Sequence, residues 1–145
     1  MNKEKIIAAI EKWNQTQKDA LIWTKDLTGE QIEHIKELFA RDTDMEDWIA
    51  FYDDSFRKKG KKGYLFSGKK IYGTKLHGPI DLEMTARILK EGVELWQQKT
   101  DGSMKRINCV SALTDLLPLL YDITGYAQEK QRPDERYTYL KKEYA

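Results

Sequence analysis

Apolar residues change period near residue 60, and that change sets the kind of core this chain can build. Before it they recur at helical spacing. Ile6, Ile10 and Trp13 fall on one face of residues 3 to about 18. In "TGEQIEHIKELFA", Thr28 and Gln31 have the spacing of a capping box, and Ile32, Ile35, Leu38 and Phe39 follow as a stripe. "TDMEDWIAFYDDSF" repeats the device: Thr43 stands before Glu46, and Met45, Trp48, Ile49, Tyr52 and Phe56 follow at helical spacing. Residues 1–58 thus predict a helical part of three helices, with "ALIWTKDL" as helix or loop between the first two.

After "RKKGKKG" the signals are those of strands. "YLF", a polar "SGKK" turn and "IYGTKL" predict a hairpin, and "TARILKEG", "VELWQQK" and "MKRINCV" predict further strands of one antiparallel sheet over residues 64–110. The Asp101-Gly102 pair suits a tight hairpin tip between the last two. Val93, Leu95 and Gln97 share one strand face, Trp96 takes the other, and Ile107 alternates with Cys109. "ALTDLLPLLYDITG" predicts a closing helix with Leu113, Leu116, Leu117 and Leu120 inward and Gly125 as its stop. Pro118 predicts a kink or break within it, because it lacks an N–H. Residues 126–145 carry Tyr137, Leu140 and Tyr144 at helical spacing and read as a partly helical tail. The fold class is α+β: a single domain over 1–145, with N-terminal helices on a small antiparallel sheet and a C-terminal capping helix, the sheet and that helix spanning 63–125.

"GYLFSGKKIYG" (63–73), "IDLE" (80–83), the hairpin from Val93 to Ile107 and the leucine-rich helix from Ala112 to Ile123 follow one another in an order that resembles a bacterial pleckstrin-homology-like, or GRAM-like, domain. The resemblance implies a small split barrel closed by a helix and a role in binding. It also implies a barrel mouth of the kind that takes phosphoinositides in eukaryotic relatives. The chain departs from it in offering about six strands where the full barrel has seven, so an incomplete barrel is expected, and in carrying a long helical N-terminal part.

Composition narrows the functions. The 145 residues carry 25 Lys and Arg against 24 Asp and Glu, so the chain is no polycation and any electrostatic binding must be local. One cysteine, Cys109, excludes an intrachain disulfide and a cysteine metal site. No run approaches a membrane span, and "MNKEKIIAAIEKW" has no signal-peptide pattern, so cytoplasmic residence is the expectation.

The local charge is the basic run Arg57, Lys58, Lys59, Lys61, Lys62, Lys69 and Lys70, two turn-proximal clusters on one predicted hairpin. They could converge on an anionic lipid or nucleic-acid backbone, with Phe56, Tyr64 or Tyr72 adding stacking, or form a solvated rim guarding a strand edge. Trp96 and Tyr72 are candidate partner contacts; Trp96 is either covered by the N-terminal helices or exposed as a contact site. Asp42, Asp44, Glu46, Asp47, Asp53 and Asp54 lack the glycine of a calcium loop and read as favourable charge at a helix start. Helices two and three imitate a helix-turn-helix, but four carboxylates on the second argue against DNA reading. His34 and His77 have no nucleophile beside them in sequence, so no catalytic, cofactor or metal residue is assigned. The expected function is non-enzymatic: an adaptor that binds another protein. Two alternatives stand beside it, an immunity-type inhibitor of a toxin and a binder of anionic lipid or nucleic acid through the 57–70 hairpin.

Overall fold

The computed structural model describes residues 3–16, 20–74, 76, 78–92, 94–107 and 111–124. Helices and antiparallel sheets within them make an α+β fold without a closed barrel. Two compact units divide the chain, Met1–Leu82 and Glu83–Ala145. Expectations resting on His77, Val93, Cys109, Gly125 and the 126–145 tail lie outside the described residues. No described helix is long and apolar enough to cross a membrane.

The first unit opens with α1 (Lys3–Thr16), which buries Ile6, Ala9, Ile10 and Trp13, the face that its spacing predicts. Strand β1 (Ile22–Trp23) and a 3-10 turn (Thr24–Asp26) occupy the segment read as helix or loop. Helix α2 (Gly29–Leu38) follows, then β2 (Trp48–Asp53), β3 (Gly63–Ser67), β4 (Lys70–Gly73) and β5 (Ile80–Asp81), an antiparallel meander in sequence order. Register aligns Ile22, Phe51, Leu65 and Tyr72 across four strands. That row packs with Leu27, Ile32, Ile35 and Phe39, and the Phe39 and Phe51 rings stack at 6.1 Å. The neighbouring positions Ala50, Phe66, Ile71 and Ile80 are buried as well. Beside β1 the Asn14 side chain acts as a substitute strand: Leu21 N donates to its Oδ1 at 2.8 Å, and its Nδ2 donates to Leu21 O at 3.0 Å.

The third helix predicted within residues 1–58 is instead a strand. Trp48–Asp53 pairs with both β1 and β3, and all six of its residues are buried. A strand covered on both faces loses the polar alternation that would announce it. The helical spacing of Met45, Trp48, Ile49 and Tyr52 is thus fortuitous, and the β-branched and aromatic content of "WIAFYD" was the better signal. Thr43 caps nothing; its hydroxyl donates to Ala40 O at 2.8 Å and accepts from Trp48 Nε1 at 2.9 Å. Asp44 caps the 3-10 turn Met45–Asp47 that leads into β2.

In the second unit β6 (Thr85–Glu91), β7 (Glu94–Lys99) and β8 (Met104–Ile107) form a separate three-stranded meander, followed by α3 (Ser111–Asp115) and α4 (Leu117–Thr124). The single sheet expected over 64–110 is therefore two sheets, and the strands among the described residues number eight. Alternation identifies strands but not their partners: among the described residues β5 pairs with β4 over two residues, and β6 pairs with β7. The Asp101-Gly102 tip stands as read, with Gly102 at φ 90°. Asp101 Oδ1 accepts from Ser103 N at 2.9 Å and from Ser103 Oγ at 2.6 Å, and these bonds hold its carboxyl below the usual range. Their contribution is present above the ordinary carboxylate pKa and is lost as pH falls through the lowered value. The helix breaks at Leu116, so Pro118 sits in the first turn of α4, where a missing N–H costs nothing. Leu116 and Leu120 are fully buried, and α4 packs on β6.

Phe51 tests the reassignment of β2. Phe51→Ala should cost about 3–5 kcal/mol in chemical denaturation, the range for an emptied aromatic core site. A loss under about 1 kcal/mol would show that residue 51 does not occupy the centre of a two-faced core.

Candidate interaction site

Asp53, the last residue of β2, is 4% exposed, and no ion pair to it is present among the described residues. Its carboxylate is satisfied by neutral donors. Oδ1 accepts from the backbone N of Ser55 at 2.9 Å and from the Ser55 hydroxyl. Oδ2 accepts from Gly60 N at 2.8 Å and from Gln31 Nε2 at 3.0 Å. One buried carboxylate therefore gathers both ends of the loop 54–62 and the start of α2. Asp54 N closes the base by donating to Lys62 O at 2.9 Å.

One side of α2 clasps the same loop. The capping box predicted from Thr28 and Gln31 is present in both halves, with Gln31 N donating to Thr28 Oγ1 at 3.1 Å and Thr28 N to Gln31 Oε1 at 2.9 Å. The remaining amide group of Gln31 reaches Asp53 and also donates to Lys58 O at 3.0 Å. One turn on, His34 Nδ1 lies 2.6 Å from Lys59 O and donates to it in the Nδ1–H tautomer. Gly60 fits against this helix only without a side chain. At φ 81° it would place a Cβ 2.8 Å from the Cα of Gln31.

The loop so held carries two non-glycine residues in the left-handed region, Arg57 (φ 67°) and Lys58 (φ 53°). Such conformations cost about 1–3 kcal/mol each and persist where the surroundings enforce them. Phe56, read as the last residue at helical spacing, is 87% exposed at the loop tip. The Arg57 guanidinium lies 5.4 Å from its ring centroid. A shallow depression of about 450 Å³ runs between this pair and Lys59, Lys61 and Lys62.

The seven basic residues do not converge. Arg57, Lys58, Lys59, Lys61 and Lys62 belong to the loop before β3, whereas Lys69 lies in the turn after it and Lys70 opens β4. The five residues of β3 separate the groups by roughly 15 Å. Lys69 and Lys70 instead line a cleft of about 510 Å³ with Lys3, Asp42, Asp44 and Asp47. Within the first group, Lys59 lies 3.8 Å from Glu30, Lys62 lies 3.8 Å from Asp54, and Lys58 Nζ donates to Asp53 O at 2.8 Å. Arg57 and Lys61 are the loop cations without a carboxylate or hydrogen-bond partner among the described residues.

The other candidates lie elsewhere. Tyr72 is half-buried in the α2-side core, and its hydroxyl pKa is raised by burial and by Asp47 and Asp81. Trp96 is half-buried and packs, within its own unit, with Leu89, Met104 and Tyr121 of α4. The acidic set splits between the Asp53 anchor, the Asp44 cap and the cleft wall. No group of three His, Cys, Asp or Glu among the described residues could hold a metal ion. Sequence reasoning missed the anchor itself, although Asp53-x-Ser55 before a glycine-bearing loop is a side-chain-to-backbone turn signature.

No family model matches the chain, and no curated protein or solved structure matches it either.

Removing the anchor should open the loop. Asp53→Ala leaves the amides of Ser55 and Gly60 and the Gln31 side chain without their acceptor. The expected loss is about 1–3 kcal/mol in denaturation, the cost of stranding buried donors. By contrast, Lys59→Gln with Lys61→Gln and Lys62→Gln should stay within about 0.5 kcal/mol of the parent, because exposed charges contribute little. Equal losses in the two variants would remove Asp53 from its place as anchor.

Proposed function

We propose that this protein is a non-enzymatic binding module that acts by contact with another protein, and that the loop 54–62 is its contact surface. The observation that carries the reading is Phe56, 87% exposed at the tip of a loop whose backbone is fixed from beneath by Asp53, Gln31 and Gly60. A rigid loop loses little conformational entropy on binding, so an aromatic at its tip retains more of the energy of burial. Aromatic and arginine side chains are also the residues that dominate protein interfaces.

The order of elements supports a pleckstrin-homology-like architecture for the module. Four meandering strands, β2–β5, precede three, β6–β8, and the helices α3 and α4 follow. In that reading the loop 54–62 joins the first two strands of the module, and α1 and β1 are additions to it.

Charge decides between a protein and an anionic surface as the partner. Recognition of anionic membranes takes clusters of about four to eight Lys or Arg near the surface, each worth about 1 kcal/mol. Here Lys59 and Lys62 sit beside their own carboxylates and Lys58 is bonded to the backbone, which leaves Arg57 and Lys61. Two cations beside a phenyl ring suit a local patch on a protein better than a polyanion.

Affinity capture from native lysate with the parent and with Phe56→Ala tests this reading. The parent should retain a protein that the variant loses, while the two unfold at melting temperatures within about 2 °C, since an exposed side chain contributes little to stability. Retention of the same proteins by both, or binding of the parent to anionic vesicles with no protein captured, would overturn it.

A further inference from the structure

The fold sets the backbone of Arg57 but does not account for the residue that occupies it. Arg57 and Lys58 both occupy the left-handed region, where glycine would sit without strain, and the loop does use glycine in this way at Gly60. Lys58 offsets its conformation within the chain: its ammonium donates to Asp53 O, and its carbonyl accepts from Gln31 Nε2. Arg57 has no such return. Among the described residues its guanidinium meets the face of Phe56, itself 87% exposed. A residue held in a costly conformation with no structural gain points to a gain made elsewhere.

We infer that Phe56 and Arg57 act as a single two-pronged anchor whose complement on the partner is an apolar pocket bordered by a carboxylate. This deepens the protein-binding reading above and rests on it. The phenyl ring requires the pocket. Burying the ring also takes the adjacent guanidinium out of water, and a desolvated guanidinium must find an acceptor. A carboxylate is the acceptor that its planar fork matches with two parallel hydrogen bonds. The left-handed backbone at Arg57 fixes the direction of that fork relative to the ring before the partner arrives. Lys61, the other uncommitted cation of the loop, adds attraction for an acidic rim without directional demand.

A photo-reactive phenylalanine analogue at position 56, with lysate as the source of partner, reads the complement directly. The cross-linked peptide of the captured protein should combine apolar residues with Asp or Glu. Affinity for that protein should fall about tenfold or more in Arg57→Gly, the loss of a hot-spot residue. The same variant should melt at a higher temperature than the parent, because glycine relieves the left-handed strain. Arg57→Lys should recover only part of the affinity, since an ammonium cannot reproduce the fork. Lys69→Gln, at the other end of β3, should bind within about twofold of the parent. Cross-links to lipid or nucleic acid, or to a peptide flanked by Lys and Arg, would overturn the inference, as would Arg57→Gly binding like the parent. Capture of a partner without cross-linking through position 56 would sink this inference and leave the binding-module reading standing; capture of no protein by the parent would sink both.

Discussion

A carboxylate buried without a cation is the constraint on which the functional end of this molecule depends. Asp53 has left water at the end of a strand whose six residues are all buried. Such a group is costly unless hydrogen bonds replace its hydration. Four donors converge on it, from Ser55, Gly60 and Gln31. Those donors come from the two ends of one loop and the first turn of a helix, so satisfying the carboxylate fixes all three. Removing any one leaves a buried donor or acceptor without its partner, which is why the arrangement behaves as a unit.

The rest of the loop follows from that knot. Gly60 has to be glycine because α2 passes directly against it. Gln31 completes the capping box of α2 with its oxygen and holds the loop with its nitrogen, so helix start and loop position are one event. The backbone between Ser55 and Gly60 has little room left, and the left-handed pair Arg57 and Lys58 absorbs the turn. Phe56 is then carried outward. Its exposure is a consequence of how Asp53 is satisfied.

The legible parts of this fold were those written in local chemistry. The capping box at Thr28 and Gln31, the hairpin tip at Asp101-Gly102, the inward face of α1 and the break before Pro118 each depend on a few neighbouring residues. What depends on distant partners was not legible. Strand β2 reads as a helix because burial on both faces erases its alternation, and the separation into two sheets cannot be seen in strands whose partners are unspecified. The same error hid the site. With Phe56 counted at the end of a helix, its exposure at a loop tip could not be foreseen, and two lysine clusters at opposite ends of β3 seemed to belong together. The aromatic tip and its carboxylate anchor emerge only once "WIAFYD" is a strand ending in Asp53.

The loop is held before any partner arrives, and native-state amide hydrogen exchange tests this most directly. The amides of Asp54, Ser55, Lys59 and Gly60 donate to Lys62 O, Asp53 Oδ1, Ser55 Oγ and Asp53 Oδ2. They should exchange far more slowly than an open chain, and those of Ser55 and Gly60 should lose that protection together in Asp53→Ala. Exchange at open-chain rates at all four positions in the parent protein would mean that the loop is not held, and that Phe56 and Arg57 are not presented in a fixed geometry.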